Sequence, residues 1–153
     1  MKRQQEGFTL IELVMVIVIL GILAAFALPR FADLGSSARV AAVQGIGSNI
    51  KSAAAIVHSQ ALVESKQSAA SSSVTLEGTV INIAFGYPTA GTEIKEAAQF
   101  TPNTTTEFTE ATAGGVTTWQ RVGATTPATC SVVYTQATGI AAPAQVATTV
   151  TGC

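Results

Sequence analysis

The sequence predicts an α+β fold in which one long N-terminal α-helix packs on an antiparallel sheet of about four strands. An apolar run lies near the N-terminus, and an amphipathic helical pattern continues directly from it. Runs of β-favouring residues, separated by Gly, Pro and Thr, occupy the C-terminal half. The length of 153 residues fits one domain with this long helix as its first element.

The apolar run is long enough to cross a membrane. Residues 13–28 carry no polar side chain, and the segment has 21 residues when it is counted from Phe8. As an α-helix it is roughly 30 Å long, which matches the hydrocarbon core of a bilayer. Basic residues at positions 2 and 3 precede it. We therefore expect an exported or membrane-anchored chain.

Two features distinguish this segment from a cleaved signal peptide. Glu12 lies near the beginning of the apolar run, and the helical pattern resumes directly after Pro29. The alternative is cleavage after Ala27, in a small-residue motif, which would leave a soluble secreted or periplasmic binding domain. An ionised carboxylate in apolar surroundings is costly unless it is paired. The position of Glu12 therefore needs an explanation.

The second half of the long helix is predicted to be amphipathic. From Ser36 to about Val63, apolar residues recur at steps of three, four and seven, which indicates one buried face. This face needs a sheet to cover it. The Ser/Ala-rich stretch at residues 64–74 then predicts a loop.

The remaining residues predict strands and one short helix. Thr79–Phe85 alternates as a strand does and is ended by Gly86-Tyr87-Pro88. Residues 91–100 are predicted to form a short helix capped by Thr92. Three further strands are predicted at residues 116–122, 130–136 and 145–150.

Composition argues against an enzyme and against a nucleic-acid-binding protein. The net charge is -1 and 11% of residues are charged, so no basic surface is expected for nucleic acid. The sequence has no phosphate-binding loop and no metal-ligand spacing, and we expect neither a cofactor nor a catalytic site. His58, the single histidine, is expected to be structural and partly exposed. Trp119 and Tyr134 are expected in the core or on a sheet face.

The two cysteines, Cys130 and Cys153, lie in the last quarter of the chain. In an exported protein they predict one disulfide that fixes the C-terminal segment, worth roughly 3 kcal/mol by loop entropy. A pair of free buried thiols is the alternative.

The N-terminal stretch "GFTLIELVMVIVILGILAAFALPRF" resembles the N-terminus of type IV pilins, a family that includes the pseudopilins of type II secretion systems. The motif covers Gly7 to about Phe31. Beyond it, "ALPRFADLGSSARVAAVQG", "FGYP" and the terminal cysteine pair resemble the mannose-sensitive haemagglutinin (MSHA) branch of the type IVa pilins. The implied fold is the pilin fold.

The resemblance implies a processing site. In this family a prepilin peptidase cuts after the glycine, here between Gly7 and Phe8, and methylates the new amine of Phe8. Residues 1–7 would then be a removed leader, residues 8–35 a transmembrane and filament-core helix, and residues 36–153 a globular head. Because the cut precedes the apolar segment, the anchor stays in the mature protein.

The resemblance also implies a role for Glu12, namely pairing with the Phe8 amine of a neighbouring subunit. The two residues are about 6 Å apart along a helix, so an offset of one turn between neighbours would bring them together. The alternative is a solvated charge at the membrane edge. Gly21 and Pro29 both weaken a helix and mark a candidate hinge in the filament, whereas a gentle kink at the proline is the alternative.

The function that follows from the resemblance is that of a structural subunit of an extracellular pilus for adhesion. The close alternative is a pseudopilin that forms a periplasmic pseudopilus. The expected partners are copies of the same chain, the prepilin peptidase, an inner-membrane assembly platform with motor ATPases, an outer-membrane secretin and a host or environmental surface. The precursor is expected in the inner membrane and the assembled subunit on the cell surface.

Overall fold

The computed structural model describes residues 8–153, except for the side chains of residues 29–33. The first element, α1, is a helix of 54 residues at Leu10–Val63. The chain divides into two compact units, with the boundary between Ser36 and Ser37. The first half of α1 belongs to one unit, and the second half belongs to the other together with every strand.

In the first unit, the large apolar side chains that the structure describes are exposed along α1. Every large apolar side chain from Leu10 to Phe26 is at least 43% exposed. The stretch Leu10–Leu28 has a mean hydropathy of 2.9 and is long and apolar enough to cross a membrane. The stretch Leu34–Val63 is also long and apolar enough, but a third of it is buried within the fold, as expected for a core helix.

The second unit contains two antiparallel sheets. Three strands, β1 to β3, form the smaller sheet in sequence order, and four strands, β4 to β7, form the larger one, also in sequence order. A short helix, α2 (Thr92–Ala97), lies between the two groups in the chain. The strands are β1 (Ser72–Leu76), β2 (Thr79–Ala84), β3 (Tyr87–Pro88), β4 (Phe108–Ala113), β5 (Val116–Arg121), β6 (Ser131–Thr135) and β7 (Gln145–Thr149).

The buried stripe of α1 covers both sheets. Val43 and Ile50 are fully buried in a cluster that includes Trp119 and Tyr134 from the larger sheet. About two turns after Ile50 in the stripe, Val57 is fully buried against apolar residues of the smaller sheet. The predicted α+β architecture, a long helix whose second half packs on antiparallel strands, is therefore confirmed.

The number of strands differs from the prediction. The segment at residues 64–74 was predicted as a loop, but its last residues belong to β1. The buried residue of this strand is Val74, which lies between Ser73 and Thr75 in the sequence. The Gly-Tyr-Pro stretch does end β2, but Tyr87 and Pro88 turn back and pair with it as β3. β4 is also additional, and in its sequence FTEATA the β-favouring residues Phe and Thr are interrupted by Glu and Ala.

Hairpin turns account for these additional strands. Three two-residue turns, at 77–78, 85–86 and 114–115, have positive φ at both central positions. This geometry matches the twist of paired strands and favours glycine, which supplies at least one residue of each turn. The predicted cap of α2 is also wrong, because Thr92 is the first helical residue and Gly91 is the N-cap, without a side-chain bond.

Candidate assembly and processing site

Glu12 closes a hydrogen-bonded cap at the start of α1. Its Oε2 accepts the Thr9 backbone N–H at 2.8 Å and the Thr9 hydroxyl at 2.7 Å. In return, the Glu12 backbone N–H lies 3.4 Å from Thr9 Oγ1. This is the reciprocal capping box, in which a Thr N-cap and a Glu three residues later satisfy free N–H groups of the first turn. The sequence signal for this cap is Thr-x-x-Glu at residues 9–12, so Glu12 is a capping residue as well as a charge in an apolar run.

The cap fixes the direction of the Glu12 carboxylate. Both bonds from Thr9 go to Oε2, so the carboxylate is held back toward the N-terminal end of the helix, near Phe8. The Phe8 side chain is 84% exposed. A negative charge at this end of a helix also interacts favourably with the helix dipole. The structure thus presents a pre-oriented carboxylate one turn from the proposed mature N-terminus.

Other predicted site residues lie in or before the same helix. Gly7 and the rest of the predicted leader, residues 1–7, lie outside the described residues. Gly21 lies within the continuous helix α1, and a Cβ built on it meets no atom within 4 Å. The backbone is also helical at Pro29. The hinge between Gly21 and Pro29 stays a prediction.

The structure joins Cys130 and Cys153 in a disulfide across 23 positions of the sequence. Both cysteines are buried. Arg39 of α1 donates a hydrogen bond from Nε to the Cys153 carbonyl oxygen at 2.6 Å. The disulfide therefore connects the C-terminal segment to the beginning of β6, and Arg39 connects the same segment to the long helix.

The turn before Cys153 allows no side chain at position 152. A Cβ on Gly152 would collide with the Thr129 hydroxyl and would lie 2.5 Å from the Thr126 carbonyl oxygen. Backbone bonds from Thr126 to Gly152 and from Gly152 to Thr129 hold the two segments together at 2.9 and 3.0 Å. The cystine loop is thus a packed substructure with its own backbone bonds.

Two buried aromatic residues carry polar contacts that the sequence did not predict. Trp119 donates from Nε1 to Glu110 Oε2 at 3.3 Å, and Glu110 Oε1 pairs with Lys95 of α2 at 2.9 Å. The Tyr134 hydroxyl donates to the Pro88 carbonyl oxygen at 2.6 Å. Burial raises the pKa of this hydroxyl, which stays protonated as the donor. These bonds join the larger sheet to α2 and to the smaller sheet.

His58 of α1 contacts Tyr87 and Gly86 within the fold. Its ring stacks on Tyr87 with centroids 4.1 Å apart, and Nδ1 lies 3.2 Å from the Gly86 carbonyl oxygen. The residue is half-buried. Among the side chains that the structure describes, no group of three or more His, Cys, Asp or Glu is placed to hold a metal ion.

Comparison with known proteins identifies the N-terminal segment. Residues 2–28 match the family model of the prokaryotic N-terminal methylation motif. The chain is 54% identical over 56 residues to the type IV narrow pilus major component PilA5 of Thermus thermophilus, over 37% of this chain and 48% of that protein. It is also 54% identical over 46 residues to the type IV major fimbrial protein FimA of Dichelobacter nodosus, over 30% of this chain and 28% of that protein.

A core protein of a type II secretion system has a comparable sequence identity to this chain. The chain is 50% identical over 44 residues to the type II secretion system core protein G of Pseudomonas aeruginosa, over 29% of this chain and 31% of that protein. No solved structure matches. The similarity spans less than half the length of each of these relatives. It establishes a type IV pilin-like N-terminal segment and homology to type IV pilins, without deciding between a pilus and a secretion system.

Proposed function

We propose that this chain is a structural subunit, the major pilin, of an extracellular type IV pilus that attaches cells to surfaces. The observation that carries the proposal is the uncovered apolar helix Leu10–Leu28 within the matched methylation motif. Such a surface is stable only in lipid or against other apolar helices. A membrane precursor and a helix-packed filament supply these two environments in turn.

The proposed processing follows from the position of this helix. A prepilin peptidase cuts between Gly7 and Phe8 and methylates the Phe8 amine. The mature chain then begins one residue before the Thr9–Glu12 cap, with the apolar helix retained. The Glu12 carboxylate of one subunit pairs with the Phe8 ammonium of the next, which offsets the cost of burying either charge. The capping bonds support this pairing because they hold the carboxylate toward the helix N-terminus.

The proposed pilus belongs to the MSHA-like branch of type IVa pili. The features that support this assignment are the residues after the apolar helix, the FGYP turn and the terminal cysteine pair. Assembly would require an inner-membrane platform, motor ATPases and an outer-membrane secretin, and the exposed head would contact a host or environmental surface. Copies of the same chain are the main partners.

The second candidate is a pseudopilin of a type II secretion system, which the similarity to core protein G favours. The family's major pseudopilin typically has a carboxylate-rich calcium loop in its C-terminal part. In this sequence Asp33 is the single aspartate, and only two glutamates, Glu107 and Glu110, follow Phe100. A C-terminal part so poor in carboxylates is a weak calcium ligand. The few carboxylates after Phe100 and the Cys130–Cys153 disulfide therefore support the pilus.

The test is the intact mass of protein sheared from whole cells, with peptide mapping before and after reduction. We expect a chain that begins at Phe8, carries one extra methyl group and gains two hydrogens on reduction of its single disulfide. Release by shearing would place it in a surface fibre. A processed chain that stays with the cell envelope would support the pseudopilin, and a chain that begins at Leu28 would refute both proposals.

A further inference from the structure

Two grooves with charged residues of opposite sign flank α1 in the second unit. The first, which we call the acidic groove, has a volume of about 420 Å³ and is lined by Ile56 of α1, Leu76 and Glu77 at the β1–β2 turn, and Glu96 of α2. The second, the basic groove, has a volume of about 470 Å³ and lies between Gln44, Ser48 and Lys51 of α1 and Val146 and Thr148 of β7.

The grooves lie on opposite sides of the buried stripe of α1. At 100° per residue, positions 52, 53 and 56 are centred about a third of a turn to one side of Val43, Ile50 and Val57. Positions 44, 48 and 51 fall a similar angle to the other side. A neighbour on one side of the helix therefore meets a different surface from a neighbour on the other side.

The charged groups in these grooves belong to no ion pair among the described side chains. The ion pairs there are Lys66–Glu64 and Lys95–Glu110. Glu77 accepts a hydrogen bond at 2.8 Å from the side-chain amide of Gln99, which carries no charge. Glu96 and Lys51 are exposed. Apolar surface accompanies the charges, since Ile56 is 59% exposed and Val146 is half-buried.

We propose that the acidic groove of one copy contacts the basic groove of the next copy and receives its Lys51 side chain. The heads then associate through two different surfaces of the same chain. This inference rests on the proposed function and adds the head contact to it. The occupant is a second copy because the complementary charge and the apolar surface are both present on this chain. An interface between two unlike surfaces propagates into an open polymer, whereas an interface between two copies of one surface closes into a dimer.

The two grooves lie at different heights along α1. The α1 positions of the acidic groove are centred about five residues after those of the basic groove, which is roughly 7.5 Å along the helix. A neighbour whose second unit is displaced by this amount toward the C-terminal end of α1 brings its basic groove level with the acidic groove.

Cysteine crosslinking in sheared fibres tests the contact directly. A variant with Thr79→Cys in the acidic groove and Gln44→Cys in the basic groove should give a ladder of dimers, trimers and longer species with a short bis-maleimide. Each single variant should stay monomeric, because unlike surfaces meet. Dimers from a single variant, or no ladder from the double variant in intact fibres, would overturn the proposal. The native cysteines are already paired and do not react.

Charge exchange supplies an independent test. Lys51→Glu should lower the yield of sheared fibres by about tenfold, because like charges then face each other across the contact. Adding Glu77→Lys and Glu96→Lys should restore it, whereas Glu107→Lys, outside both grooves, should not. Fibres that are indifferent to these changes would refute the head contact and leave the pilin proposal intact. If the unmodified chain forms no fibres, the pilin proposal itself fails and this inference fails with it.

Discussion

Glu12 has one observed role, as a helix cap, and one proposed role, as a charge partner for a neighbouring subunit, and one substitution distinguishes them. As a cap, it accepts bonds from Thr9 at 2.8 and 2.7 Å, which a glutamine oxygen could also accept. As a partner for the Phe8 ammonium of a neighbour, it needs its charge. Glu12→Gln therefore keeps the cap and removes the pairing, whereas Thr9→Ala removes the side-chain part of the cap and keeps the charge.

The expected magnitudes differ accordingly. A unit charge pair at 4 Å is worth about 4 kcal/mol at an effective dielectric constant of 20, and desolvation offsets part of it. A net loss of about 2 kcal/mol per contact weakens subunit addition roughly 30-fold. Loss of an N-cap costs about 1 kcal/mol of helix stability and acts inside one subunit. We therefore expect Glu12→Gln to abolish most fibres and Thr9→Ala to preserve most of them.

The assay is the amount of sheared fibre per cell, with the membrane-bound subunit measured in the same cells. The membrane pool shows whether the variant is still made and inserted, and its N-terminal mass shows whether it is still processed. Glu12→Gln subunits should accumulate in the membrane in processed form. Normal fibres from Glu12→Gln would refute the pairing, and a loss of fibres from Thr9→Ala as large as that from Glu12→Gln would assign the effect to the cap.

Two further changes test the packing of the head. Replacing both cysteines by alanine should destabilise the head by about 3 kcal/mol through loop entropy, or more if the hydrogen bond from Arg39 to Cys153 is also lost. A full-length chain in detergent should then melt roughly 10 °C lower. An unchanged melting temperature would show that the loop is held by its other contacts. Gly47→Ala should also lower the melting temperature, because a Cβ there collides with the Thr148 hydroxyl. Thr148→Ala in the same chain should recover most of that loss, and a loss that persists in the double variant would mean that the close approach of α1 and β7 is not its cause.

Much of this fold could be predicted because its signals are local. The apolar run and the helical periodicity predicted α1 with its observed end at Val63. β5, β6 and β7 were predicted from β-favouring runs bounded by turn residues. The alternation of one buried face is clear in β5, where Thr117 and Trp119 are buried and their neighbours are half-buried.

The strands that were missed depend on tertiary context. β1 begins with two serines, and burial of Val74 against α1 and β2 outweighs their low β-propensity. β4 also depends on tertiary context. Phe108 is its one buried residue, and pairing with β5 provides the remaining stabilisation of the strand. The Gly114-Gly115 turn was a local signal for the β4–β5 hairpin, because this pair is among the preferred sequences for such turns.

The candidate site was also predictable only in part. The resemblance of the N-terminal motif located Gly7, Phe8 and Glu12, and Thr-x-x-Glu would have located the cap. The contact from Arg39 to Cys153 joins residues 114 positions apart and leaves no sequence signal. Similarly, the two grooves beside α1 combine residues from separate elements, and only the folded chain shows that they face opposite sides.

The position of Glu12 suits both a membrane and the core of the proposed filament, although the two environments solvate a carboxylate differently. In a membrane, a carboxylate one turn from the end of the apolar helix lies near the interface, where solvation is cheap. In a filament core the same carboxylate loses its water and becomes costly unless an ammonium group lies beside it. In the proposed filament, a charge that is tolerated in the precursor penalises wrong registers. Apolar packing alone distinguishes registers weakly, because uniform aliphatic surfaces slide past one another at little cost. On this proposal the single carboxylate supplies register, and the exposed apolar side chains around it supply the affinity.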